Sequence, residues 1–184
     1  RGHRHLDKDT RYAQGLSYEL FTSFGSFGSY NYNGTQKYYS NGLPRNHAGV
    51  DIGAVRHGYG HALVACVNGT VFDKGYNSGA GNYIILQDKY GFLYRYLHME
   101  ASSDLPIASR VVAGQHIGVM GNTGDSDRTH LHFEILGRTD VVGKQKTQKM
   151  SSVEPYLRVY EGVEYINIDP TPSVLDAHRR IVKD

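Results

Sequence analysis

The stretch RTHLHFEIL, residues 128–136, sets two imidazoles one residue apart with apolar side chains between and after them. Successive side chains of an extended strand point to opposite faces, so His130, His132 and Glu134 share one side and Leu131, Phe133 and Ile135 the other. Such a face suits metal ligation or proton transfer, and it also suits a plain solvated strand. Catalytic zinc takes three protein ligands and keeps a position for water, so a metal reading asks for donors elsewhere. The segment NHAGVDIGA offers His47 and Asp51. Four-residue spacing would align them on a helix, but Gly49 and the β-branched Val50 favour a curved extended path. Taken alone, the pair is better accounted for by a loop hydrogen bond.

His98 closes the run FLYRYLHM, where period two groups it with Phe92, Tyr94 and Tyr96 on one face. The chain contains no HExxH, so the glutamate base of helical metalloproteases is absent and a histidine is the available proton carrier. Glu134 shares the imidazole face, where it either supports a ligand or serves as a solvated or sheet-pairing residue. The other histidines have bland settings. His3, His5 and His178 lie near the ends, His57 and His61 flank Gly-Tyr-Gly, and His116 opens a strand.

The elements that must position these residues read as β. Twenty-two glycines, fifteen tyrosines and short Val/Ile/Tyr-rich runs point to a mainly β fold with many tight turns. Residues 10–22 suggest a short helix capped by Thr10, and 23–49 a long loop of the length associated with function. ALVACV, Asn68-Gly69 and TVFDKGY spell strand, two-residue turn, strand, the signature of a hairpin. NYIILQ, DKYG and FLYRYLHM spell a second hairpin. HIGVM is a further strand, and the loop GNTGDSDRT delivers the chain into HLHFEIL. Beyond Gly137 the pattern loosens into an inserted loop or hairpin and a return strand, YLRVYEGVEYINI.

The 184 residues allow one ordinary domain, and a formal charge of +2 sets up no field that calls for nucleic acid. No apolar run is long enough to cross a membrane as a helix. Cys66, the single cysteine, excludes an internal disulfide and, within ALVACV, reads as a buried thiol.

The series TSFGSFG, NHAGVDIGA, VACVNGTV, GNYIILQD, YRYLHM, VVAGQHIGVMGNTG and THLHFEI stands in the order seen in lysostaphin-type zinc endopeptidases, also called the LytM-domain family. The resemblance covers residues 22–136, and NIDP near Asp169 resembles the family's closing Asn-Pro segment. It implies an antiparallel β-sheet core of the duplicated hybrid motif type, with long loops forming a groove. It implies His47, Asp51 and His132 as metal ligands, one zinc ion per chain, and His98 and His130 as catalytic residues acting on water and substrate. The implied activity is zinc-dependent hydrolysis of peptide bonds in bacterial peptidoglycan, in the stem peptide or the cross-bridge. The alternative is a non-catalytic LytM-like domain that regulates another wall hydrolase or acts structurally.

On this reading the chain is a single catalytic domain: an extension over 1–21, the metallopeptidase core over 22–136, an inserted loop or hairpin over 137–165, and a closing segment and tail over 166–184. Peptidoglycan is the expected partner of a monomer, without nucleic acid or a membrane span. The chain stands alone or within a longer polypeptide or phage tail, and works outside the cell, in its envelope or in a phage virion. Two departures from the family pattern stand out. Asp127, Arg128 and Thr129 occupy positions where a small residue, Gly and Pro are common, and residues 138–165 exceed the usual connection.

Overall fold

In a computed structural model of the chain, the structure describes Phe27, residues 31–32 and 35–36, Tyr38, and residues 47–53, 61–143 and 157–174. The strands are β1 (Asn31–Tyr32), β2 (Thr35–Gln36), β3 (Val50–Gly53), β4 (Ala62–Val64), β5 (Gly69–Asn77) and β6 (Gly81–Gln87). They continue with β7 (Leu93–Met99), β8 (Arg110–Val111), β9 (His116–Val119), β10 (His130–Arg138), β11 (Leu157–Tyr160) and β12 (Val163–Ile168). The helix expected over 10–22 lies outside the described residues. Part of the expected loop over 23–49 is strand, because β1 and β2 pair antiparallel with Tyr32 opposite Thr35. The intervening Asn33-Gly34 is a turn signal hidden by the surrounding low-periodicity composition.

The described residues form two compact units, one running Gly53–Phe133 and the other comprising those up to Ile52 and from Glu134 onward. In the first, the ladder runs from the start of β10 through β7, β6 and β5 to β8. Ile84, Ile85 and Leu86 of β6 are all buried, as are Leu93, Tyr96 and Met99 of β7. Each such apolar side chain contributes roughly 1.5–3 kcal/mol by leaving water. The β6–β7 hairpin forms as the sequence predicts. Asp88 closes it, its Oδ1 accepting the N–H groups of Tyr90 (2.9 Å) and Phe92 (3.0 Å) and its Oδ2 the Tyr94 hydroxyl (2.9 Å).

The hairpin expected across Asn68-Gly69 does not form. β4 pairs with β9 in a separate two-stranded sheet, and β5 pairs with β6 and β8. Asn68 instead accepts the Ala113 N–H at 2.8 Å, and a Cβ on Gly69 would come 2.0 Å from the Gln87 carbonyl oxygen. The glycine is there for a close backbone approach, not for a tight turn. Cys66 is exposed, against expectation: β4 ends at Val64, and beyond it Ala65 is buried while Cys66, in a bend, faces outward. The Tyr96 hydroxyl accepts the Cys66 N–H and donates to the Val64 carbonyl, both at 3.0 Å, and burial holds its phenol neutral well above the ordinary range.

In the second unit β12 lies between β11 and β10, and β3 pairs with β10. β11 and β12 form a hairpin with Tyr160 opposite Val163, turned through Glu161 (φ 50°) and Gly162 (φ 78°). Two positive φ values in a two-residue loop match the right-handed strand twist. Val50, Leu136, Tyr165 and Ile166 are buried here, and short helices follow at Thr139–Val142 and 171–174.

Candidate metal centre and its histidines

β10 is buried from His130 to Gly137, so both of its faces are covered. On the apolar side Phe133 meets Tyr96 edge-on at 5.2 Å between ring centroids. On the other side the rings of His130 and His132 lie 4.8 Å and 6.0 Å from that of His98.

This arrangement corrects the period-two grouping of His98 with Tyr96. Asn82 pairs with Met99 and Ile84 with Tyr96, so β7 spends three steps where β6 spends two. The extra residue is a β-bulge, and His98 carries a positive φ of 62° within it. The bulge turns the imidazole away from the aromatic side and towards the other histidines.

Two loops hold it there. The Thr123 carbonyl accepts from His98 Nδ1 at 2.7 Å, which fixes the proton on Nδ1 and leaves Nε2 as the basic atom of the neutral ring. The Thr123 hydroxyl donates to the Met99 carbonyl (2.6 Å) and accepts the Asn82 N–H (3.0 Å). A Cβ on Gly81 would come 2.4 Å from the Thr123 carbonyl, and one on Gly124 2.2 Å from the Gly81 nitrogen. Glycine at both positions, with φ of 65° and 78°, is what lets the loops meet backbone to backbone.

His130 is pinned similarly. Its Nδ1 donates to the Arg128 carbonyl at 2.8 Å and lies 3.2 Å from the Ser126 hydroxyl. That hydroxyl also contacts the Asn122 side chain (2.6 Å) and the Arg128 carbonyl (2.9 Å). Of the three residues that depart from the family pattern, Thr129 is buried, while Asp127 and Arg128 are exposed and 3.8 Å apart.

His47 is buried and its Nε2 lies 3.0 Å from Asp51 Oδ1. Residues 47–49 are irregular and the strand begins at Val50, so the pair sits on an extended path as expected. His47, Asp51 and His132 each present one ligand atom, all within 4.8 Å of one another. Two imidazole nitrogens and one carboxylate oxygen are donors that suit zinc, and the three lie close enough to share one cation.

The structure thus brings together His47, Asp51 and His132, and sets His98 against His130 and His132. His116 is exposed and opens β9, while His3, His5, His57 and His178 lie outside the described residues. Glu134 is not solvated. It is 1% exposed, with Arg158 Nη2 donating to it at 3.3 Å. Asn167, which the sequence does not single out, is buried and donates from Nδ2 to the Ala48 carbonyl at 2.8 Å, beside His47.

Among proteins of known sequence, the chain is similar to the peptidoglycan DD-endopeptidase ShyC of Vibrio cholerae, 32% identical over 108 residues, which are 59% of this chain and 24% of ShyC. It is 37% identical over 93 residues to a glycyl-glycine endopeptidase of Staphylococcus capitis, covering 50% of this chain and 25% of that protein. The chain spans about a quarter of the length of such curated relatives. Its fold is that of the catalytic domain of the antimicrobial peptidase lysostaphin from Staphylococcus simulans, with a TM-score of 0.55 at 24% identity over 82% of this chain and 89% of that one. The model of peptidase family M23 matches residues 45–150, more than half of the chain and inclusive of all five histidine and aspartate positions of the site, and the chain belongs to that family.

Proposed function

We propose that this chain is a zinc-dependent endopeptidase that cleaves peptide bonds of bacterial peptidoglycan at or outside the cell surface. The observation that carries the proposal is the gathering of His47, Asp51 and His132 within 4.8 Å, with the His98 ring 4.8 Å from that of His130 and 6.0 Å from that of His132. Peptidase family membership and relatives named as peptidoglycan endopeptidases support the substrate class.

His47, Asp51 and His132 would hold the ion. When bound, zinc supplies Lewis acidity, bringing the pKa of coordinated water to about 7 and polarising the scissile carbonyl. The remaining work falls to side chains. With Nδ1 of His98 and His130 engaged by carbonyl oxygens, each ring offers Nε2 to the reaction. One accepts the proton of the attacking water, and the other, once protonated, stabilises the developing oxyanion or delivers a proton to the leaving amine. The buried setting of both rings excludes bulk water and strengthens these interactions.

The test is metal analysis of the purified chain beside digestion of purified cell walls, with and without a chelator. About one zinc per chain and chelator-sensitive release of peptide-cleaved fragments are expected, and mass spectrometry of the fragments identifies the bond. A chain that binds no zinc, or that holds it without cleaving walls of any cross-link chemistry, contradicts the proposal and favours the regulatory alternative.

A further inference from the structure

We infer that the β11–β12 hairpin is a clamp for the metal centre, with Arg158 and Asn167 as positioning residues that act through Glu134 and Ala48. The inference rests on the metal reading above. Both residues lie beyond the family match, which ends at residue 150: Arg158 falls within the inserted segment and Asn167 at the head of the closing segment.

The two hooks hold residues that neighbour different members of the ligand set, Ala48 next to His47 and Glu134 two residues from His132. Asn167 of β12 donates to the Ala48 carbonyl at 2.8 Å, in the peptide that follows His47 and three residues before Asp51. Its Oδ1 is buried with no partner among the described residues, so the Nδ2 bond is what fixes the amide. Arg158 of β11 reaches across β12 to Glu134, which is 1% exposed and two residues along the same face of β10 from His132. A buried carboxylate needs a counter-charge, and Arg158 provides one while itself remaining 31% exposed. β12 pairs with β10 from Ile135 to Arg138, so one rigid hairpin carries both hooks. Partners that orient ligands from behind are worth about 10–100-fold in metal affinity.

The test measures zinc dissociation constants of the full chain by chelator competition, at a temperature where circular dichroism shows each metal-free variant folded. Arg158→Met and Asn167→Ala are expected to bind zinc about tenfold or more weakly. Arg158→Lys, which keeps the charge, should recover most of the loss, and Arg158→Gln supplies a milder variant should the Met form not fold. In Glu134→Gln the Arg158→Met change should weaken zinc no further, because the arginine acts through that carboxylate. Wild-type zinc affinity in folded Arg158→Met or Arg158→Gln and in Asn167→Ala, with only the melting temperature lowered, overturns the clamp and leaves the metal reading intact. A wild-type chain that binds no zinc overturns both.

Discussion

Each accessory histidine has one nitrogen spoken for. The Thr123 and Arg128 carbonyls can only accept, so Nδ1 of His98 and of His130 must donate, and each neutral ring presents Nε2 as a base. His98→Ala and His130→Ala should therefore retain zinc while turnover falls by roughly 10²–10⁴, checked by metal content and wall-digestion rates on the same samples. His132→Ala removes a donor instead, and metal analysis should find its zinc lost. Ser126→Ala discriminates more finely. The Arg128 carbonyl at 2.8 Å still holds the His130 ring after the weaker 3.2 Å hydroxyl contact is gone, so turnover should drop less than tenfold; a loss as large as that of His130→Ala would assign the proton relay to the serine.

The site is only as good as the two glycine-lined loops and the bulge that aim His98. Gly81→Ala places a Cβ 2.4 Å from the Thr123 carbonyl on a residue with φ of 65°, so the loop must shift or the backbone strain. A stability loss of about 1–3 kcal/mol is expected in denaturant unfolding, together with a fall in turnover as the Thr123 carbonyl leaves His98; unchanged kcat would show that the loop contact does not govern the ring. The alternation of β10 and the β6–β7 hairpin were legible in the sequence because apolar period and turn chemistry agree there. The β4–β5 hairpin was misread because Asn-Gly serves equally for a turn and for a close strand crossing, and what separates them, the Gln87 carbonyl against Gly69, comes from a distant strand. The same holds for the face of His98, where one extra residue in β7 reverses a period that the local sequence keeps regular. His47, Asp51 and His132 are legible as a set only through the resemblance to a family, since spacing alone makes a loop hydrogen bond the better account of the first two. Glu134 is legible on the imidazole face but its burial against Arg158 is not, and Asn167 is not legible at all, because the partners Arg158 and Ala48 are set by sheet register and carry no local motif.

For the molecule as a whole, the donors come from segments far apart in sequence, and the unfolded chain cannot hold them together. On the proposed reading zinc would therefore bind the native state in preference, and its binding free energy would add to folding stability. At a free zinc concentration about 100-fold above the dissociation constant the gain is about 2.7 kcal/mol. For a chain of this size each kcal/mol raises the melting temperature by about 2–4 °C, so adding zinc to metal-free protein should raise it by about 5–10 °C. A chelator should reverse the shift, and His132→Ala should show little of it, because the loss of one donor from three leaves an incomplete set. Thermal melts of both proteins across a zinc titration make the comparison. A shift of equal size in His132→Ala would place the stabilising ion elsewhere and separate the metal dependence of folding from the His47, Asp51 and His132 cluster.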